Sequence, residues 1–212
     1  ENHSHSLSIY SRRIDNLFQF NSSYKTTVTN ENISNEISIG SGISNGFEVI
    51  LRKKTGPITG WVAYHYNKVK NRFSEINNGD EFLADQNKSH EIKTIAITKL
   101  WNLNMSISWV FTSGGVFTDI NNMYIESGSG YDINITSDRN LRRLPSTHHM
   151  DVNISKSIQS SKINIDFGCS IYNIYNKNNI SHKRYNPYTT SLSVTEVAMF
   201  GITPNAYVKL HF

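Results

Sequence analysis

The sequence predicts an all-β fold of about eight antiparallel strands, and three observations carry that expectation. Apolar and polar residues alternate over short windows along the whole chain, as they do where successive side chains leave a strand on opposite faces. The connections between those windows come in two lengths, tight turns and long polar loops, which follow one another in strict alternation. Charged residues are 18% and aromatics 11% of the chain, with Ser, Thr and Asn filling the gaps, a composition of strands and polar loops rather than of packed helices.

Taken in order, the first window runs near Ser6 to Ile14, and the second sets Phe47, Val49 and Leu51 against Glu48, Ile50 and Arg52. A third covers Gly60 to Lys70 and a fourth His90 to Lys99. Met105, Ile107, Trp109 and Phe111 then alternate with Ser106, Ser108, Val110 and Thr112, and Met150, Val152 and Ile154 with Asp151, Asn153 and Ser155. Ile163, Ile165, Phe167, Cys169 and Ile171 oppose Asn164, Asp166, Gly168 and Ser170, and the last window is Asn205 to Phe212. Tight turns are expected at Thr55-Gly56-Pro57, Trp101-Asn102-Leu103 and Gln159-Ser160-Ser161, and long loops from Gln19 to Asn45, Ser74 to Ser89, Gly114 to Thr147 and Asn176 to about Thr195. Each window is near the ~9–11 residues that a tilted strand needs to cross a bilayer's hydrocarbon layer, and one long-loop end opposite one short-turn end is the asymmetry of an outer-membrane barrel. The fold expected is therefore an antiparallel transmembrane β-barrel wall, with the C-terminus on the short-turn side.

Other classes are narrowed by the same residues. The 212 residues show no linker and no repeat beyond the hairpin rhythm, so one domain, residues 1–212, is expected. The longest apolar stretches, such as Trp61 to Tyr64, fall far short of the ~20 residues of a membrane-spanning helix. The formal net charge of +4 is scattered, and its densest run, Arg52-Lys53-Lys54, is read as a solvated turn or headgroup contact, not a nucleic-acid site. Cys169 is the single cysteine, so it forms no intrachain disulfide and no Cys-based zinc site. Glu1 to Ser8 lacks a secretory signal, which leads us to expect a mature chain or a fragment. The glycosylation-type patterns at Asn21, Asn32, Asn134 and Asn179 are attributed to chance in so Asn-rich a sequence.

A soluble β-sandwich has the same alternation. Against it stand polar faces rich in Asn, Ser, Thr and Asp, suited to a hydrated lumen, and aromatics near strand ends: Tyr10, Phe18, Trp61, Tyr64, Tyr66, Trp101, Trp109, Phe111, Tyr172, Tyr175 and Tyr207. These are expected to form an interfacial girdle.

No catalytic set and no cofactor is expected. His148 and His149 are neighbours on a strand and point opposite ways, which disfavours a shared metal. Asp80 and Glu81 after Asn77-Asn78-Gly79 resemble part of a calcium loop, without the acidic residue that would close it. Asp151 and Asp166 could meet across a hairpin as a carboxylate pair, though wall lining is the plainer reading.

The end of the chain is the most informative motif. Val208, Leu210 and Phe212 share one face, and a terminal aromatic on a lipid-facing strand resembles the signal read by the barrel assembly machinery. The ordered set Gly46-Phe47-Glu48, Arg52-Lys53-Lys54-Thr55-Gly56, Thr59-Gly60-Trp61-Val62-Ala63-Tyr64, Phe73, Glu75-Ile76-Asn77-Asn78-Gly79 and His90-Glu91 resembles the end of Bacteroidota-type TonB-dependent receptors. Leu144-Pro145 with His148 and Asp151, the run Ser170 to Asn178, then Phe200, Pro204 and Phe212 continue the likeness. The resemblance implies the C-terminal part of a plugged barrel of roughly 22 strands, engaging TonB only through a plug domain that this chain lacks.

The resulting expectation is a non-enzymatic wall segment of an integral outer-membrane receptor or transporter in a Gram-negative cell. It would contact outer-membrane lipid, bind no nucleic acid, and take up a small-molecule, glycan or peptide ligand whose identity the sequence leaves open. Ser106, Ser108, Asn153, Asn164 and Asp166 are the expected lumen-facing residues, from strand parity. The alternatives are a self-contained small barrel serving as anchor or adhesin, and a secreted sandwich.

Overall fold

The computed structural model describes residues 2–20, 37–119, 138–159, 163–186 and 193–211. The described chain is all-β: β1 (His3–Phe20), β2 (Ile37–Lys53), β3 (Ile58–Phe73), β4 (Phe82–Leu83), β5 (His90–Leu100), β6 (Leu103–Thr112), β7 (Val116–Phe117), β8 (Arg142–Arg143), β9 (Thr147–Gln159), β10 (Asn164–Tyr172), β11 (Ile180–Asn186), β12 (Ser193–Ala198) and β13 (Thr203–His211). A 3-10 turn at Asn77–Gly79 precedes β4.

Eight long strands form one antiparallel meander in the order β1-β2-β3-β5-β6-β9-β10-β13, with β4 beside the end of β3. These are the eight windows read from the sequence. Their connections alternate long and short, which in a meander puts every long connection at one end of the sheet. The turn at Trp101 and Asn102 joins paired Leu100 and Leu103, with φ of 49° and 60°. Those angles define the two-residue hairpin whose twist matches its flanking strands. Residues 160–162 of the third expected turn lie outside the described residues.

The first expected loop, Gln19 to Asn45, is corrected: β2 begins at Ile37, and Phe18 pairs with Ile39. Ile37, Ile39 and Ile43 carry the strand pattern, but Gly40 and Gly42 between them dilute it. The last two long connections carry structure of their own. β7 pairs with β8, and β11 with β12 in a hairpin separate from the main sheet.

Register sorts the side chains. One face carries Leu7 and Ile9 of β1, Phe47, Val49 and Leu51 of β2, and Val62, Tyr64 and Tyr66 of β3. It continues through Ile92, then Met105, Ile107, Trp109 and Phe111, then Met150, Val152 and Ile154, to Phe167, Cys169 and Ile171 and finally Val208 and Leu210. No second layer covers this face: Ile9 is 78% exposed, Leu51 56%, Ile107 46% and Val208 68%. A sandwich would bury such a face against a partner sheet.

Towards the long-connection end this face carries an aromatic row. Phe47 and Tyr66 rings lie 5.6 Å apart, Tyr66 and His90 5.3 Å, and Tyr64 Oη shares a 2.8 Å hydrogen bond with His90 Nδ1. Trp109 lies against Phe111 and His148, and His148 Nδ1 is 2.8 Å from Tyr175 Oη. Tyr10, Trp61, Tyr172 and Tyr207, expected in the same girdle, lie on the opposite face: Tyr10 pairs with Gly46, Trp61 with Arg52, and Tyr207 with Gly168. Tyr172 follows Ile171 on β10 and meets His149 at 4.7 Å.

The small buried core sits beyond the row, where Phe73, Ile76 and Phe82 pack with Leu17. Asparagines hold the connections there. The Asn179 amide, 1% exposed, accepts from His148 N–H at 3.0 Å and donates to His148 C=O at 2.9 Å. Asn87 Oδ1 accepts from Val69 N–H, and Asn140 Nδ2 donates to Leu83 C=O, each at 2.8 Å. Asn77 grips the backbone of Arg139 in the same two-bond manner. These amides complete the pairing of backbone groups that the next strand leaves open. The amide of Asn179, buried and doubly bonded, is no glycan acceptor in this fold.

Candidate functional site

The opposite face carries most of the polar side chains, interrupted by Ile50, Trp61, Ile95, Ile97 and Val110. From β1 to β13 it presents Ser8, Tyr10 and Arg12, then Ser44, Glu48 and Arg52, then His65 and Asn67. Beyond them come Glu91 and Lys93, Ser106 and Ser108, His149, Asp151, Asn153 and Ser155, Asp166 and Ser170, and Asn205, Tyr207 and Lys209.

All five residues predicted from parity lie on this face. Ser106 stands opposite Asn153, Ser108 opposite Asp151, and Asn153 opposite Ser170, so three of the five are neighbours. Asn164 and Asp166 are further towards the short-turn end, opposite Gln159 and Ser157. Asp166 lies four residues along β10 from Ser170, about 13 Å at strand spacing, and its Oδ2 is 3.1 Å from His211 Nε2. Val208 and Leu210 share the apolar face, opposite Phe167 and Ile165; Phe212 lies outside the described residues.

The carboxylate pair is corrected. Asp166 pairs with Ser157, six residues along β9 from Asp151, about 20 Å away and too far for shared acid–base work. Asp151 instead gathers local partners: Oδ1 accepts from Asn173 N–H at 3.0 Å, Ser108 Oγ donates to Oδ2 at 3.4 Å, and His149 Nε2 is 3.6 Å from Oδ2. A Ser, a His and an Asp thus meet with the carboxylate in the middle. Nucleophilic catalysis needs the imidazole between hydroxyl and carboxylate, so this cluster anchors the turn after β10 instead. His148 and His149 do face opposite ways, His148 in the aromatic row and His149 on the polar face. Among the described residues no group of three or more His, Cys, Asp or Glu could hold a metal ion.

The Asn77–Gly79 turn is not a cation loop. Its Asn77 amide binds Arg139, and Glu81 pairs with Lys70 Nζ at 2.6 Å. That ammonium, hydrogen-bonded and adjacent, holds the Glu81 carboxyl below the usual glutamate range.

A concavity on this face was not anticipated. A cavity of about 580 Å³ opens over β1–β3 at the long-connection end, lined by Tyr10, Arg12, Ser44, His65 and Asn67 with Gln86 above them. Tyr10 Oη and His65 Nε2 share a 2.9 Å hydrogen bond. Gly46, the register partner of Tyr10, makes this possible, because a Cβ there would overlap the Tyr10 ring. The available signal was the alternation Tyr10-x-Arg12 beside Leu7-x-Ile9, which already puts the two polar residues together.

No family model matches the chain, and no curated protein or solved structure is found similar to it.

Proposed function

We propose that this chain is part of the wall of an outer-membrane β-barrel, the C-terminal strands of a receptor of the TonB-dependent type, serving substrate uptake. The observation that carries the reading is the two-sidedness of the meander. One continuous face is apolar and uncovered across eight strands, the other carries most of the polar side chains, and long connections alternate with short ones. Lipid on the outside and water on the inside is the environment that satisfies both faces. Localisation in the outer membrane, contact with its lipid and delivery by the assembly machinery through Val208, Leu210 and Phe212 belong to the same proposal.

The sheet edges favour a larger barrel over a self-contained one. Among the described residues neither β1 nor β13 has a partner on its outer side, and the two are 18 and 9 residues long. Closure of one on the other would leave half of the β1 edge unpaired, and unpaired backbone is costly inside a membrane. Strands supplied from elsewhere in a longer receptor would pair both edges. Its plug would supply the contact with TonB.

The test is the coding sequence upstream of Glu1. A plug domain followed by further strands would support the reading, whereas a signal peptide ending directly before Glu1 would replace it with a small self-closed barrel.

A further inference from the structure

We propose that the cavity over β1–β3 is a binding subsite for a hydroxylated ring carrying an anionic group, a sugar acid or sugar phosphate. The inference deepens the uptake reading and rests on the polar face being open to water. Three features of the cavity fit that chemistry together.

The first is a cation with nothing to neutralise it. Arg12 lines the cavity, opposite Ser44 in the register, and among the described residues no carboxylate or carbonyl takes its guanidinium. Its neighbour Arg13 points to the other face and pairs with Asp15 at 3.1 Å. Asp85, near the rim, is engaged by Asn140 Nδ2 and Arg139. Glu48 and Glu91 stand opposite His65 on its two sides; Glu91 pairs with Lys93 at 3.0 Å, and Glu48 lies four residues along β2 from Ser44, about 13 Å. A guanidinium in this setting is a ready partner for a carboxylate or phosphate, which it can bind with two parallel hydrogen bonds.

The second is an aromatic plate beside that charge. The Tyr10 and His65 ring planes are inclined by only 21°, with centroids 6.0 Å apart and a 2.9 Å hydrogen bond between Tyr10 Oη and His65 Nε2. Two hydrogen-bonded rings with nearly parallel planes offer a ring face to a ligand. Gly46, opposite Tyr10 and having no side chain, lets the Tyr10 ring lie down on β2. A ring-shaped ligand can rest its C–H face there while its anionic group reaches Arg12.

The third is a set of hydrogen-bonding groups at the margin. Ser44 Oγ donates to Asn67 Oδ1 at 3.2 Å, which leaves the Asn67 Nδ2 hydrogens for a ligand hydroxyl, and Gln86 supplies a second amide from the rim. Ile14 and Val69 close the apolar floor. Charge, plate and amides line one cavity and select for a ligand with an anion, a ring face and hydroxyls.

Calorimetric titration of the detergent-solubilised full-length protein with glucuronate, glucose 6-phosphate and glucose tests the assignment. Saturable binding of either anion, at least about tenfold tighter than glucose and weakened about tenfold or more in Arg12→Gln, is expected, the scale of a lost charge-assisted hydrogen bond. Tyr10→Leu, which keeps an apolar side chain over Gly46, should weaken all three sugars alike. Equal affinity for glucose and the anions, indifference to Arg12→Gln, or absence of binding by the folded chain would overturn it. A chain correctly seated in bilayers yet indifferent to both anions would overturn the subsite alone. Glucuronate binding by a chain with no lipid-facing side would instead keep the subsite and overturn the barrel reading.

Discussion

Arginine placed at Ile107 and at its neighbour Ser106 should have opposite consequences. Ile107 is in the middle of β6, four residues from Leu103 at the short turn and four from Phe111 in the aromatic row. Eight residue steps cover about 27 Å along a strand, or roughly 20 Å of depth at a tilt near 40°. Ile107 is therefore about as far as a residue of this wall can be from either interface. Its cross-strand partners Ala96 and Val152 offer no counter-charge. Arginine near the bilayer midplane costs about 2–4 kcal/mol, so Ile107→Arg should reduce the folding equilibrium by roughly 30- to 700-fold, taking 1.4 kcal/mol per factor of ten. Ser106 points to the polar face opposite Asn153, and Ser106→Arg should shift stability by less than about 1 kcal/mol. Urea titration of the full-length protein folded into phosphatidylcholine vesicles would read both. If Ile107 faced water, its 46% exposure would make Ile107→Arg nearly neutral as well. Equal or inverted effects would refute the sidedness argument.

Other consequences can be checked with single variants. Asn179→Ala strips both bonds from the His148 backbone and should destabilise by about 2–6 kcal/mol, at roughly 1–3 kcal/mol per orphaned group; faster hydrogen exchange at the His148 amide reports it, and unchanged exchange would show that the clamp is dispensable. Gly168→Val puts a side chain where a Cβ alone would lie 2.8 Å from Tyr207 Cε1, so Tyr207 must move at a cost of about 1–3 kcal/mol, visible as a lower urea midpoint. The Glu81 carboxyl is held low by Lys70, so its contribution to holding β4 is complete at and above the usual glutamate range and is lost as pH falls through the lowered folded value. Proteolysis of the 82–89 segment should therefore rise in acid for the native chain, and Lys70→Gln should flatten that dependence. A native profile without an acid rise would count against the pairing.

All eight long strands were legible because their alternation is local: a residue and its second neighbour suffice to assign a face. The same arithmetic places Ser106, Ser108, Asn153, Asn164 and Asp166 together on one side. It also separates Tyr10 from Leu7 and Ile9, because closeness to a strand end sets an aromatic's depth while parity sets its face. The start of β2 was obscured by Gly40 and Gly42, which lack side chains to show the period. β4, β7 and β8 are two-residue pairings, too short for any pattern. The asparagine clamps were invisible for a different reason. Asn179 meets His148 and Asn77 meets Arg139 across 31 and 62 residues, so only the folded path of the loops brings them together. Likewise the cavity over β1–β3 needs Gln86 from a distant connection, and strand parity alone supplies only its wall.

Cys169 offers the most direct test of the two-sided wall, being the single cysteine and standing on the apolar face between Ile154 and Ala206. A nitroxide attached there, in the full-length protein with any further cysteine replaced and reconstituted into bilayers, can be compared with one at Ser170 in a Cys169→Ser, Ser170→Cys variant by the power saturation of its electron paramagnetic resonance signal. The account predicts that the label at 169 meets oxygen, which concentrates in lipid, and is shielded from a water-soluble nickel chelate, while the label at 170 meets the chelate. Chelate access at 169 equal to that at 170 would contradict it.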